Sequence, residues 1–149
     1  GAELLIEDSS LVIGEMTKVT LRAFIQDWVI SRNPDAKETN VTMLFKLPDN
    51  LEYISGDLSW QGGIEGKQIK QIEIIVRAKY AGYVEVSGGA VSYLTTTTYF
   101  GAGDSEKICI VNLPEESCAE EIINESAEAE ATYIGNKEPP LNREPGGKK

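Results

Sequence analysis

From Val19 to Ile25 the side chains alternate in character, with Val19, Leu21, Ala23 and Ile25 on one side and Lys18, Thr20 and Arg22 on the other. Successive side chains of an extended chain point to opposite faces, so period two marks a strand with one buried face. The pattern returns at Val41, Met43, Phe45 and Leu47, and again at Ile72, Ile74, Val76 and Ala78, with Thr42, Lys46, Gln71, Glu73 and Arg77 between. A slip of one residue in register would expose a whole apolar set. Val19, Leu21, Val41, Met43, Phe45, Ile72, Ile74 and Val76 are therefore expected to share one core between two antiparallel sheets.

Further strands are expected over 3–7 and 10–13, over 83–93, and over 107–113. Gly and Pro punctuate the runs at Gly14, Pro34, Pro48, Gly62, Gly63, Gly66, Gly82 and Gly101 to Gly103. Gly88 and Gly89 fall inside a strand run, which predicts a bulge there. No helix-period segment precedes Pro114. The expected fold is an all-β, Ig-like antiparallel β-sandwich of about seven strands spanning residues 1–113.

Residues 114–149 form an acidic tail or linker. Cys118, Ala119, Ile122, Ile123 and Ala127 recur at helical spacing among glutamates, which predicts a short amphipathic helix near 115–131. The final NKEPPLNREPGGKK mixes Pro, Gly and charge as a linker does.

Composition narrows the function classes. The 149 residues contain no histidine, which removes the usual general base, metal imidazole and pH switch together. Two cysteines cannot complete a four-ligand zinc site by themselves, so neither a metal nor a cofactor is expected. A net charge of -10 repels phosphate backbones and anionic lipid, so nucleic acid is not an expected partner. Residues 1–113 carry 15 acids and 10 bases and residues 114–149 carry 9 and 4, so the tail is the more acidic per residue. No apolar run approaches the ~20 residues that span a bilayer, and no secretory leader precedes the first strand. The chain opens Gly1-Ala2, as a trimmed or mature form would.

The stretch NVTMLFKLPDNLEYISGDLSW, from Asn40 to Trp60, concentrates large side chains around one proline. A strand over 42–47 ends at Pro48, Asp49-Asn50 suits a turn, and Leu51, Tyr53, Leu58 and Trp60 read as apolar plugs on one surface. Asn33-Pro34-Asp35-Ala36, Asn40-Val41-Thr42, Leu47-Pro48-Asp49-Asn50-Leu51-Glu52-Tyr53 and Ser55-Gly56 resemble the repeated Ig-like domains of archaeal and bacterial surface proteins, including the CARDB-like cell-adhesion-related modules. Ile64, Gly66, Val76, Ala78 and Ala81-Gly82-Tyr83-Val84 continue the likeness, which covers about residues 10 to 113. Pro34-Asp35 and Asn50 stand where that pattern has glycine. The resemblance implies a β-sandwich and an extracellular or cell-surface setting; its motifs are turn and core positions and carry no catalytic or binding residue with them.

The sharpest candidate site is SYLTTTTYFGAGDS, Ser92 to Ser105, where Thr97, Thr98, Tyr99 and Phe100 set hydroxyls beside two rings ahead of a Gly-rich turn. Such a loop at a sandwich end suits stacking on a glycan or anchoring a protein contact; the competing reading is a strand extension whose rings cap the core. Asp35, Asp49, Asp57, Asp104 and Glu106 lack calcium-loop spacing and read as turn and solubility residues. Trp28 and Trp60 read as core or edge packing rather than carbohydrate platforms. Asn40 and Asn124 head N-glycosylation sequons. Cys109 and Cys118 enclose eight residues, a spacing open both to a disulfide pinning the tail and to two buried thiols.

The expectation that follows is a non-enzymatic Ig-like module of a secreted or cell-surface protein, a spacer or an adhesion and assembly unit whose partner is a protein or glycan. The rival readings are a carbohydrate-binding module using loop aromatics, and a glycoside hydrolase whose carboxylate pair meets only in three dimensions.

Overall fold

A computed structural model describes residues 1–93 and 99–118 of the chain. Nine strands and one short helix occur among the described residues. They are β1 (Ala2–Ile6), β2 (Ser10–Val12), β3 (Met16–Phe24), α1 (Asp27–Arg32), β4 (Lys37–Lys46), β5 (Leu51–Gly56), β6 (Ser59–Glu65), β7 (Ile69–Ala78), β8 (Gly82–Tyr93) and β9 (Tyr99–Val111). They form a four-stranded sheet, β1-β3-β7-β5, and a five-stranded sheet, β2-β9-β8-β4-β6. The fold is the β-sandwich that the alternation requires, and its core lies between the sheets. The chain divides after Pro114, and the tail helix expected near 115–131 falls almost wholly outside the described residues.

Seven of the eight expected core residues are buried: Val19, Leu21, Val41, Met43, Ile72, Ile74 and Val76 are all at most 4% exposed. Phe45 is the exception. It is half-buried against the rim of the core, so the full penalty of emptying a core phenylalanine does not apply to it. Tyr53 and Leu58 are not core plugs either, being 43% and 40% exposed. The Tyr53 hydroxyl instead donates to the Gly56 carbonyl at 2.5 Å and ties down the turn that follows.

Several other expectations give way. The nine strands exceed the seven because β5 and β6, an edge strand of each sheet, carry no clear period-two run. The sheets are not wholly antiparallel: β2 runs parallel to β9, with Ser10 opposite Cys109 and Val12 opposite Val111. A helix precedes Pro114, but the six residues of α1 span less than two turns, too few to show a 3.6-residue period. Gly88 and Gly89 carry no bulge, since both pair in register with β4 and β9. Gly88 is small because a Cβ there would lie 3.0 Å from Leu21 and 3.2 Å from Leu4 beneath the sheet. The register shifts fall instead between Glu38 and Val41 and between Tyr53 and Ser55.

The chain crosses between the sheets at both lateral edges. On one side it passes from β1 to β2, and the Asp104 carboxylate on β9 accepts from the Leu4 N–H on β1 at 2.8 Å. On the other side Asp57 and Leu58 alone separate β5 from β6: the Asp57 N–H donates to Glu73 of β7, while Leu58 accepts from Phe45 of β4. In the variable-type immunoglobulin order, the added edge strands next to C precede the one next to E. Here β5, beside β7, comes before β6, beside β4.

Gly1 and Val111 lie at opposite ends of the sandwich. The Gly1 amino group donates to the Phe24 carbonyl at 2.7 Å, at the far end of β3 from Met16. Val111 accepts from Ile13, next to the Gly14 N–H that bonds Ala78.

Both cysteines are disulfide-bonded, and none is free. Reducing the bridge is expected to cost about 2–3 kcal/mol through the entropy returned to a loop of about ten residues in the unfolded chain. Thermal melts with and without reductant measure this; coincident midpoints would mean that the bridge constrains nothing the folded domain uses.

Candidate functional site

The end of the sandwich that holds Gly1 carries a cavity of about 330 Å³. It exists because the strand ends that meet there bear small residues, Ala23 on β3, Ala90 on β8 and Gly101 with Ala102 on β9, while α1 crosses between β3 and β4 and adds Val29 and Trp28 to the lining. Ile25, Val41 and Ile64 complete an apolar wall.

Among the described residues, one charged side chain lines this space. Glu38, half-buried at the start of β4, accepts a 2.6 Å hydrogen bond from the Ser92 hydroxyl of β8, and Ser92 is only 8% exposed. The Gly1 amino group shares the cavity; burial lowers its pKa, an effect partly opposed by the negative charge of Glu38. A serine bonded to a carboxylate superficially matches a nucleophile and base. A lone carboxylate is nevertheless too weak a base to generate a serine alkoxide near neutral pH, so the pair acts as an oriented anion rather than as an activated nucleophile.

The proposed loop site is arranged differently from its sequence reading. β9 begins at Tyr99, so Tyr99 lies opposite Tyr93 and Phe100 opposite Ser92 in the ladder. Gly101 to Gly103, read from sequence as a turn, are strand residues paired with Val91 to Gly89. Thr97 and Thr98 lie outside the described residues, as does Asn124. Asn40 is exposed on β4, within the shifted register between Glu38 and Val41.

Trp28 contradicts its reading as a packing residue. It stands on α1, 60% exposed, with its indole N–H donating to Gln26 at 2.5 Å and Arg32 5.7 Å from its ring. It is exposed because α1 buries Ile30 and turns Trp28 away from the core. Trp60 does pack: its ring lies over Gly62, where an added Cβ would come within 2.4 Å, and Lys70 covers it at 4.7 Å. Tyr80 and Tyr83 are also exposed beneath cations, Lys79 at 5.3 Å and Lys107 at 5.7 Å.

Among the described residues, no cluster of three or more His, Cys, Asp or Glu side chains is placed to hold a metal ion. Asp104 spends its oxygens on the N–H groups of Leu4 and Ser105. No described helix is long and apolar enough to cross a membrane.

Sequence reasoning passed over Glu38 and took Ser92 only as the first residue of the candidate loop. They are 54 residues apart, and only the pairing of β4 with β8, which sets Val41 opposite Ser92, joins them. By the alternation of β4, Glu38 falls in the outward set with Thr42 and Lys46; it is half-buried because the register shifts between Glu38 and Val41, which no local signal reports.

No protein-family model and no curated protein sequence matches the chain. Among solved structures, it is similar to the cupredoxin domain of amoB from Nitrosocaldus yellowstonii, with 11% identity, 79% of this chain and 90% of that one covered, and a TM-score of 0.44. It is also similar to Spo0M, the sporulation control protein of Bacillus subtilis, with 14% identity over 86% of this chain and a TM-score of 0.40. The chain spans about half of that second protein, 54% of its length.

Proposed function

We propose that this chain is a non-enzymatic Ig-like module of a secreted or cell-surface protein, acting as an in-line spacer or assembly unit. The observation that carries this reading is the parallel pairing of β2 with β9 in a domain whose chain enters at one end and leaves at the other. A pull on the two ends loads that pair lengthwise, so its hydrogen bonds share the force instead of opening one by one. The disulfide fits the same setting, because such bonds persist in oxidising compartments. A carbohydrate platform gains no support from the exposed rings Trp28, Tyr80 and Tyr83, each of which already has a cation of the chain near its face.

Single-molecule pulling through the two ends of residues 1–118, which retain both bridged cysteines, tests the reading. Ile13→Pro removes the N–H that bonds Val111 at 3.0 Å and is expected to lower the unfolding force clearly below that of the parent. An unchanged force, or a parent that opens as readily as a peeled hairpin, would sink the spacer assignment.

A further inference from the structure

We propose that the cavity beside Glu38 is a binding site for a primary alkylammonium group, with Glu38 as counter-ion and Ala23, Val41, Ile64 and Ala90 in contact with the alkyl chain. A volume of about 330 Å³ lies at the lower end of the range of small-ligand pockets, which combine apolar walls with a few convergent polar groups. This cavity has that form: aliphatic side chains form most of the wall, and Glu38 is the one charged side chain among the described residues of its lining.

The chemistry of the ligand follows from the carboxylate. Among the described residues, Glu38 accepts one hydrogen bond, from Ser92 to Oε2, and a carboxylate has about four lone-pair sites. An incoming group that donates to the remaining sites and carries positive charge compensates the cost of drying the anion. A neutral alcohol donates but brings no charge. An anion is repelled. The apolar wall then favours a short alkyl chain behind the cationic head.

The Gly1 amino group lines the same cavity but donates to the Phe24 carbonyl at 2.7 Å, which leaves the remaining lone pairs of Glu38 to an incoming donor. This inference does not rest on the spacer reading, and either can fail without the other.

The test is a methyl NMR titration of the full chain with three probes of similar size: n-butylammonium, n-butanol and pentanoate. The expected result is millimolar binding of n-butylammonium, with shifts confined to the methyl groups of Ala23, Val41, Ile64 and Ala90. Butanol should bind about tenfold more weakly, and pentanoate should not bind. Glu38→Gln should erase the preference for the ammonium. Equal affinity for butanol, stronger binding of pentanoate, or shifts scattered over the surface would overturn the proposal on the parent protein alone, whatever the variant's stability. Retention of the preference in a folded Glu38→Gln protein would overturn it as well. A fourth probe, Nα-acetyl-lysine methylamide, identifies the source: binding as tight as butylammonium points to a lysine side chain of a partner, and binding of butylammonium alone points to a free small amine.

Discussion

Replacing Leu21 with alanine is expected to destabilise the domain by about 3–5 kcal/mol, the range for emptying a fully enclosed leucine site. Leu21 has no exposed surface and sits mid-strand in β3, opposite Leu4 on one side and Ile72 on the other. Its methyl groups reach across the core to Gly88 of the facing sheet, 3.0 and 3.2 Å from where a Cβ would stand. Gly88→Ala alone is therefore expected to overpack, at about 1–3 kcal/mol. The double variant should cost less than the two singles added, because the new methyl moves into the space that Leu21 vacates; a coupling of about 0.5–3 kcal/mol is expected. Denaturant unfolding of the four proteins measures it. Strict additivity would show that the two positions do not share space and that the close approach of the sheets at Gly88 is misplaced.

Gly56→Ala should be comparably damaging, at about 3 kcal/mol or more, for a reason of backbone rather than core. Gly56 closes β5 with φ at +101°, and a Cβ there would come within 2.2 Å of the Glu73 carbonyl oxygen and 2.7 Å of the Ile74 Cα. Backbone of the neighbouring strand cannot swing aside as a flexible side chain can. Gly14 provides the control: its φ is +97°, yet nothing lies within 4 Å of its added Cβ. Gly14→Ala should thus cost only the conformational strain, about 1–3 kcal/mol. If the two variants melt together, the contact with β7 contributes nothing and only the dihedral angle matters.

The parts of this fold legible in the sequence are those written in period two. β3, β4 and β7 were marked by alternation, and their inward residues are buried because a half-buried strand has no other way to satisfy its apolar face. Phe45 follows the alternation as faithfully as Met43 does, yet it lies where β4 runs toward the rim, and no local pattern reports how far a strand extends past the core. Gly88 and Gly89 were misread for a related reason. A glycine chosen to admit Leu21 from another sheet looks, in one dimension, like a glycine chosen for a bulge.

The candidate site was illegible because it is made of contacts between distant segments. Trp28 carried the wrong expectation since a six-residue helix leaves no periodic trace, and its orientation is set by which neighbour, Ile30, the core accepts. Alternation and composition are local properties, and they suffice to make this chain a sandwich of strands around an aliphatic core, without histidine and strongly acidic. The parallel course of β2 beside β9, the placing of β5 and β6 in opposite sheets, and the meeting of Glu38 with Ser92 beside an apolar cavity arise only on folding. Those relations depend on which strands pair and in what register, and pairing is fixed by packing across the whole core rather than by any segment alone.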